Sequence, residues 1–313
     1  MKKTIVLFGG AGFLGRALVD LLIQKDRVVL AVGRRPANEV CLPPECQYLQ
    51  GDYGDRDFVR RVVRPGCEVV DLAYSTVPQT SFQDPVFDLL SNLPASVGLL
   101  QEAAACGAGK VLFVSSGGTV YGSAKRLPIE EDHPTEPISP YGITKLAIEK
   151  YARMFSKTSG LHVVIARPAN AYGMNQRAGT GQGFIAAAIH AALNGNSIEV
   201  YGGEGTKRDY IHVDDVAEGL WAVLQSGENG EAYNIGTGIA SSNQQIIAIL
   251  RGLAARESLN LETEIKPTRV FDVPANSLDC SKLQGISGWK ACHTLRKGIE
   301  KIWDASFRAA LQK

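Results

Sequence analysis

Tyr141 and Lys145 stand four residues apart in the stretch SPYGITK, where a serine and a proline open a helical pattern. Side chains at i and i+4 lie over one another on a helix, so the phenol and the ammonium of this pair are neighbours. A fixed positive charge beside a phenol favours the phenolate and draws its pKa down from about 10. A tyrosine held that way exchanges protons near neutral pH, which is general acid–base chemistry. Taken by itself, the pair fits exposed helix surface equally well.

A second group of residues bears on phosphate. Gly9, Gly12 and Gly15 are spaced by three in GGAGFLG, after an apolar run and before a helical pattern. Glycines there allow a tight turn, close approach of the backbone to a pyrophosphate and close helix–strand packing. The helix N-terminus then faces the phosphate charge. The end of the second strand, LAVGRRP, has Gly33 where a carboxylate for the adenosine ribose is expected, followed by Arg34 and Arg35. Paired arginines without an acid suit a 2′-phosphate, whereas exposed loop arginines imply nothing, so NAD and NADP both stay open. Asp52 and Tyr53, in QGDYGD, offer a side-chain acceptor and a backbone amide to an adenine edge.

The elements that must carry these residues alternate. TIVLFG, RVVLAVG, CQYLQGD, EVVDLAY, KVLFVSS and HVVIARP read as strands. GFLGRALVDLLIQK, RDFVRRVV, PASVGLLQEAAACG and YGITKLAIEKYARMFSKTSG read as the helices between them. Apolar strands alternating with helices predict a Rossmann-type, doubly wound parallel sheet of the α/β class. Beyond residue 172 the pattern loosens into a Gly-rich loop, the helix FIAAAIHAALNG and short strands. The expected division is a dinucleotide-binding domain over 1–172, with 209–238 crossing back to it, and a smaller mixed α/β domain over 173–313.

Bulk properties narrow the partners. The 313 residues are 45% hydrophobic and 21% charged with a net charge of +1, which gives no electrostatic case for nucleic acid or an anionic membrane. The apolar run from Thr4 to Phe8 is too short for a secretory signal, and no run approaches the length of a membrane span. Six cysteines without CxxC spacing fit reduced thiols in a cytoplasmic protein. Asp214 and Asp215 precede VAEGLWAVL and fit a helix N-cap and first-turn charge better than a metal pair. The five histidines are dispersed, so no metal is expected.

Taken in order, the glycine loop, VSSGGTVYG, YGITK, RPANAYG, GGEGTKRDYIHVDD, YNIGTG and RVFDVPANSLDCSKL change the reading. Together they resemble the short-chain dehydrogenase/reductase superfamily, in its extended branch of nucleotide-sugar epimerases and dehydratases, with UDP-hexose 4-epimerases the nearest in pattern. The resemblance implies that Tyr141 takes the proton of a sugar 4-hydroxyl while Lys145 also bonds the nicotinamide ribose. It implies that Phe13 and Leu14 beside the glycine turn, Leu72, Ala73, Tyr74 and Ser115 at strand ends, and Pro168 border the cofactor. Ser75, Thr76, Gly117 and Gly118 are expected at the sugar, and Asn170, Arg208 and Arg269 at the phosphates. Asp272 is expected at a ribose hydroxyl, with Val200 and Tyr201 beside uracil.

One position departs from that pattern. The family carries a Ser or Thr hydroxyl three residues before the valine of VYG, and here that residue is Gly117. Ser116 and Thr119 flank it; strand alternation gives Thr119 the parity of 117 and turns Ser116 away. The dehydratases' Asp-Glu pair is replaced by Gly118-Thr119, which disfavours elimination of water. Three readings follow: a UDP-hexose or UDP-N-acetylhexosamine 4-epimerase with bound NAD, an NADP-dependent reductase of a 4-keto nucleotide sugar, and a non-catalytic dinucleotide sensor. The resemblance further implies a homodimer formed through PASVGLLQEAAACG and GITKLAIEKYARMF.

Overall fold

The computed structural model describes residues 2–176, 183–202, 206–267 and 273–312. Over the first half the chain runs β1 (Thr4–Phe8), α1 (Phe13–Gln24), β2 (Val28–Gly33), β3 (Gln47–Gln50), α2 (Arg56–Val62), β4 (Glu68–Asp71), α3 (Pro78–Gln83), α4 (Pro85–Ala105), β5 (Lys110–Val114), α5 (Pro140–Thr158) and β6 (Val163–Pro168). Over the second it runs β7 (Asn170–Tyr172), α6 (Phe184–Leu193), β8 (Ile198–Tyr201), β9 (Lys207–His212), α7 (Val213–Ser226), β10 (Ala232–Ile235), β11 (Ala240–Ser242), α8 (Asn243–Arg256), β12 (Thr263–Lys266), α9 (Ser281–Ser287) and α10 (Leu295–Leu311).

Ile5 and Leu7 pack on one face of β1 and Val6 and Phe8 on the other, all fully buried. Such strands need cover on both faces, and the result is a seven-stranded parallel sheet in the order β10-β6-β5-β4-β1-β2-β3. The doubly wound fold is the one the sequence predicts. The chain reverses direction across the sheet between β1 and β4, and the C-terminal ends of these strands form the crevice where ligands bind in such sheets. β10 pairs with β6 and α7 packs on α1, whereas β9 joins β7 and β11 in a separate three-stranded sheet. Ile189, Val200, Ile247, Leu250 and Trp303 form a third core beneath that part. No described helix is long and apolar enough to cross a membrane, and all six thiols are free.

The sequence reading started a helix at Pro94, but Pro94 lies inside α4. The helix begins nine residues earlier, at Pro85, where Asp84 caps the Phe87 N–H at 2.8 Å. Proline is favoured in a first turn, which made Pro94 look like a start. Leu90, whose carbonyl loses its helical donor, lies on the exposed face. The short α3 was not foreseen. α5 begins as expected: Pro140 occupies the first turn and Ser139 Oγ accepts from Gly142 N at 3.1 Å.

Three separate segments converge on one carboxylate. Asp209 of β9, fully buried, accepts from Thr237 N and Oγ1 after β10, from Gly238 N, and from Leu278 N before α9. Replacing it with alanine strands these donors away from water, a loss of about 3 kcal/mol or more. Asp209→Ala is therefore expected to lower the melting temperature by roughly 5–10 °C in scanning calorimetry; an unchanged melting point would contradict the role given to this hub.

Candidate active site

The glycine turn joins β1 to α1 with φ +84° at Gly9. A Cβ at Gly9 would lie 2.9 Å from Ala73 N, and one at Gly15 would lie 2.4 Å from Gly9 O. A Cβ at Gly12 would meet Gly9 O at 3.0 Å. All three glycines are thus required by close backbone approach. α1 starts with no side-chain cap and no acid in its first turn, so its leading N–H groups face outward for an anion. This cradle fits a pyrophosphate. Phe13 and Leu14 open α1, and Leu72 and Ala73 lie against Gly9. Tyr53 packs against Phe8, with ring centroids 6.3 Å apart, while Asp52 turns to Gly54 N at 2.9 Å.

At the other end of this groove Lys145 is 3% exposed, with Nζ donating to Val114 O at 2.8 Å. Nζ lies 4.0 Å from the Tyr74 ring centroid and 5.9 Å from that of Tyr141, and the two tyrosine rings meet edge-to-face at 4.8 Å. The predicted pair is therefore real, with Tyr74 wedged beside it. The predicted fall in the phenol pKa is not: burial, reinforced by Asp88, pushes Tyr141 well above its ordinary value. The protein alone does not make this phenol acidic, because a buried phenolate loses hydration and faces the Asp88 carboxylate. Lys145 itself is brought down to about 8 by burial, opposed by Asp71, Asp88 and Glu149.

Those acids are what the sequence reading missed. Asp71, at the end of β4, is raised to about 6 by burial, opposed by Lys145 and by bonds from Ser96 Oγ (3.0 Å) and Ala73 N (3.2 Å). An acid ending the apolar run EVVD was the available signal. Asp88 in α4 accepts from Thr76 Oγ1 and from Thr144 Oγ1 at 2.7 Å. Thr76 therefore spends its hydroxyl inside the fold and not on a sugar, and Ser75 N donates to Asn92 Oδ1 at 2.8 Å. Ser115 likewise donates to Glu149 Oε1, which pairs with the buried Arg167. Pro168 accepts from Gly117 N at 2.9 Å in the middle of the sheet end.

A cavity of about 500 Å³ is lined by Ser139 at the start of α5, by Gly118, Thr119, Asn170, Tyr201 and Arg208, and by the unforeseen Phe184 and Tyr210. Val200, expected there, instead packs fully buried in the third core, since alternation along β8 sends it inward. Arg208 donates to Val273 O at 2.7 Å. Arg269 and Asp272 fall outside the described residues. The parity argument for Thr119 fails in its premise, because β5 ends at Val114 and residues 116–120 form a turn with Val120 N bonded to Ser116 O. A Cβ at Gly117 would lie 2.5 Å from Leu278 Cδ1 and 2.8 Å from Arg167 O, so a side chain there requires its surroundings to shift. Thr119 nevertheless lines the cavity, its Oγ1 buried without a partner. Ser116 Oγ lies on the Asn170 side, 3.8 Å from a Cβ built at Gly118.

His212, not an aspartate, caps α7, accepting from Asp214 N at 3.3 Å. Folding stacks His293 on His212 at 4.3 Å, with its Nδ1 2.9 Å from Asp215 Oδ1. Two histidines read as dispersed thus meet, as a clamp between α7 and the start of α10.

Residues 5–236 match the model of the NAD dependent epimerase/dehydratase family. The chain belongs to that family. It is an enzyme of the short-chain dehydrogenase/reductase type, and its relatives match over nearly their whole length. A UDP-glucose 4-epimerase of Mycolicibacterium smegmatis is 31% identical, covering 96% of each chain. A dTDP-4-dehydro-6-deoxyglucose reductase of Escherichia coli is 26% identical, again over 96% of each. The crystal structure of UDP-glucose 4-epimerase from Thermotoga maritima with UDP-glucose superposes with a TM-score of 0.90 at 29% identity, covering 99% of this chain and all of that one. Within this family member, the acids around Lys145 set when the ammonium is lost.

Removing the negative charge of Asp71 withdraws support from the Lys145 ammonium and lowers its pKa further below about 8. Activity that needs the ammonium falls as pH rises through that value. Asp71→Asn should therefore shift the alkaline limb of kcat/KM downward by about half a unit to one unit, as read from a pH–rate profile. A limb that stays in place or moves up would contradict the coupling.

Proposed function

We propose that the chain is a UDP-hexose or UDP-N-acetylhexosamine 4-epimerase that works through a transient 4-keto sugar with NAD held tightly along the glycine turn. The observation that carries this reading is the pairing of Tyr141 with the buried Lys145 at the strand ends, next to Tyr74, which is one residue on from the Ala73 that meets the glycine cradle, while Ser139 and Thr119 line the 500 Å³ cavity. A nicotinamide there would supply hydride acceptance and return at sugar C4. The free N–H groups of the first turn of α1 hold its pyrophosphate. Lys145 supplies charge to a phenol that the protein alone leaves poorly acidic, so the phenolate forms only when more positive charge is brought alongside. Tyr141 then takes the proton of the 4-hydroxyl and returns it. Thr119 Oγ1, buried without a partner, is the hydroxyl we assign to the bridge between sugar oxygen and phenol in place of Gly117. Asn170 and Arg208, with Arg269, bind the sugar's pyrophosphate. Gly118 and Thr119 leave no acid–base pair for loss of water, which sets this chain apart from a dehydratase.

The second reading, a 4-keto nucleotide-sugar reductase using NADPH, is favoured by Gly33-Arg34-Arg35. Incubation with UDP-glucose or UDP-N-acetylglucosamine and no added cofactor separates the two. The epimerised sugar supports the first; turnover only of a 4-keto sugar, with NADPH consumed, supports the second. Tyr141→Phe is expected to lower kcat by about 10³-fold or more with substrate affinity kept, and Thr119→Ala by about 10²-fold. Thr119→Ala at wild-type rate with Ser116→Ala impaired would transfer the bridging role to Ser116.

We further propose that a second copy of the chain covers the outer faces of α4 and α5. Phe87 and Leu90 are 52% and 64% exposed on α4, beside the exposed Ile143, Tyr151 and Met154 of α5. This apolar patch lies nearer the start of α4 than the sequence reading placed it, and it spans two packed helices. Free thiols and near-neutral charge are compatible with a cytoplasmic enzyme. Leu90→Asp should convert a dimer to monomer in sedimentation velocity; a monomeric parent chain, or an unaffected dimer, would exclude this face.

A further inference from the structure

Two histidines and an aspartate that take part in no step above meet where β9 runs into α7 and α10 begins. His212 Nδ1 lies 3.4 Å from Asp214 Oδ2, and His293 Nε2 lies 4.0 Å from the same oxygen. One atom from each of the three residues falls within 4.8 Å of the others. His212 ends β9, Asp214 is in the first turn of α7, and His293 precedes the Thr294 cap of α10. Only the folded chain brings them together.

Hydrogen bonding fixes which ring nitrogens carry lone pairs. Asp214 N donates to His212 Nδ1 at 3.3 Å, so the proton of the neutral ring sits on Nε2, which is buried without a partner. Asp215 Oδ1 accepts at 2.9 Å from His293 Nδ1, which leaves the lone pair of that neutral ring on Nε2. The buried Asp215 also accepts from His293 N at 2.9 Å through its other oxygen. A carboxylate on the far nitrogen of an imidazole is the arrangement that orients a metal-binding histidine and raises its basicity. The two nitrogens with lone pairs are thus the two that approach Asp214 Oδ2. These acceptors converge at a place that already attracts a cation: the exposed Lys301 Nζ stands 3.2 Å from Asp214 Oδ2.

Two imidazole nitrogens and one carboxylate oxygen suit zinc, with a fourth position left to water; magnesium and calcium want oxygen throughout. We infer that His212, Asp214 and His293 form a zinc site, with Asp215 holding His293 and Lys301 competing for Asp214. Bonds of about 2.1 Å in a tetrahedron place ligand atoms roughly 3.4 Å apart, so the wider gaps close by about 1 Å. The rings stack at 4.3 Å with 21° between their planes, so closing means splaying them. His293 and Asp214 are partly exposed and able to turn, whereas His212 is fully buried. The ion takes over the lone pair that otherwise accepts from Asp214 N. It fastens the start of α10 to the β9–α7 corner, behind a wall of the substrate cavity, since the His212 ring meets Tyr172 edge-to-face at 5.5 Å and Tyr172 lines that cavity. The site is independent of the dinucleotide and sugar readings.

Calorimetric titration of chelator-treated protein with Zn²⁺, with Mg²⁺ as control, and the visible spectrum of added Co²⁺ read the site directly. One Zn²⁺ per chain is expected, with a melting temperature raised by about 5 °C at a hundredfold excess over Kd, and no response to Mg²⁺. Asp215→Asn should weaken Zn²⁺ binding about 10–100-fold, and His293→Ala and Asp214→Ala at least about 100-fold. Lys301→Ala, at an exposed position, should tighten it, because the competing ammonium is gone. Absence of Zn²⁺ binding to the parent chain would overturn the site. So would binding that His293→Ala and Asp214→Ala leave unchanged, which places the ion on other groups, or binding that Lys301→Ala weakens.

Discussion

The active end of the molecule depends on burying one ammonium. Lys145 is almost wholly removed from water, with one backbone carbonyl as its hydrogen-bond acceptor and the rings of Tyr74, Phe113 and Tyr141 around it. Desolvation of a charge is costly unless neighbours return the loss. Asp71, Asp88 and Glu149 supply that return from β4, α4 and α5, three elements that meet only in the finished fold. Secondary bonds then hold the acids: Ser96 on Asp71, Thr76 and Thr144 on Asp88, Ser115 and Arg167 on Glu149. Much of the polar interior of the cofactor layer is an answer to this single buried charge.

The same arrangement explains how a chain with a poorly acidic phenol still fits acid–base chemistry. Burial raises Tyr141 and lowers Lys145, so each group resists its charged form in the protein alone. A nicotinamide held in the groove would bring positive charge beside the phenol, and the proposed proton transfer by Tyr141 would then depend on that charge. The wedged Tyr74 ring contributes a π face to the ammonium and excludes water from it.

The sheet and its helices were legible because period and glycine spacing report local geometry. GGAGFLG forms the β1–α1 turn and SPYGITK opens α5, the positions the sequence placed them in. What the sequence concealed was convergence. Asp71 and Asp88 are seventeen residues apart in the chain with no shared motif, and only packing of α4 on the sheet brings both to Lys145. His212 and His293 are separated by most of the second half and yet stack. Pro94 misled because a proline's preference for helix starts is statistical, whereas Asp84 and Pro85 offered a true cap. The Thr119 parity argument failed since it extended strand alternation past the last paired residue, Val114.

Leu278 constrains what position 117 can become. Its side chain fills the space a residue larger than glycine would need at position 117, while its backbone N–H is fastened to Asp209. A serine at 117 would crowd this side chain and also the Arg167 carbonyl, 2.8 Å from its Cβ, so a shift or a smaller residue at 278 relieves only one of the two contacts. The two positions are separated by more than half the chain but are sterically one locus. A side chain at 117 is accommodated only as far as residue 278 and the backbone at 167 yield together.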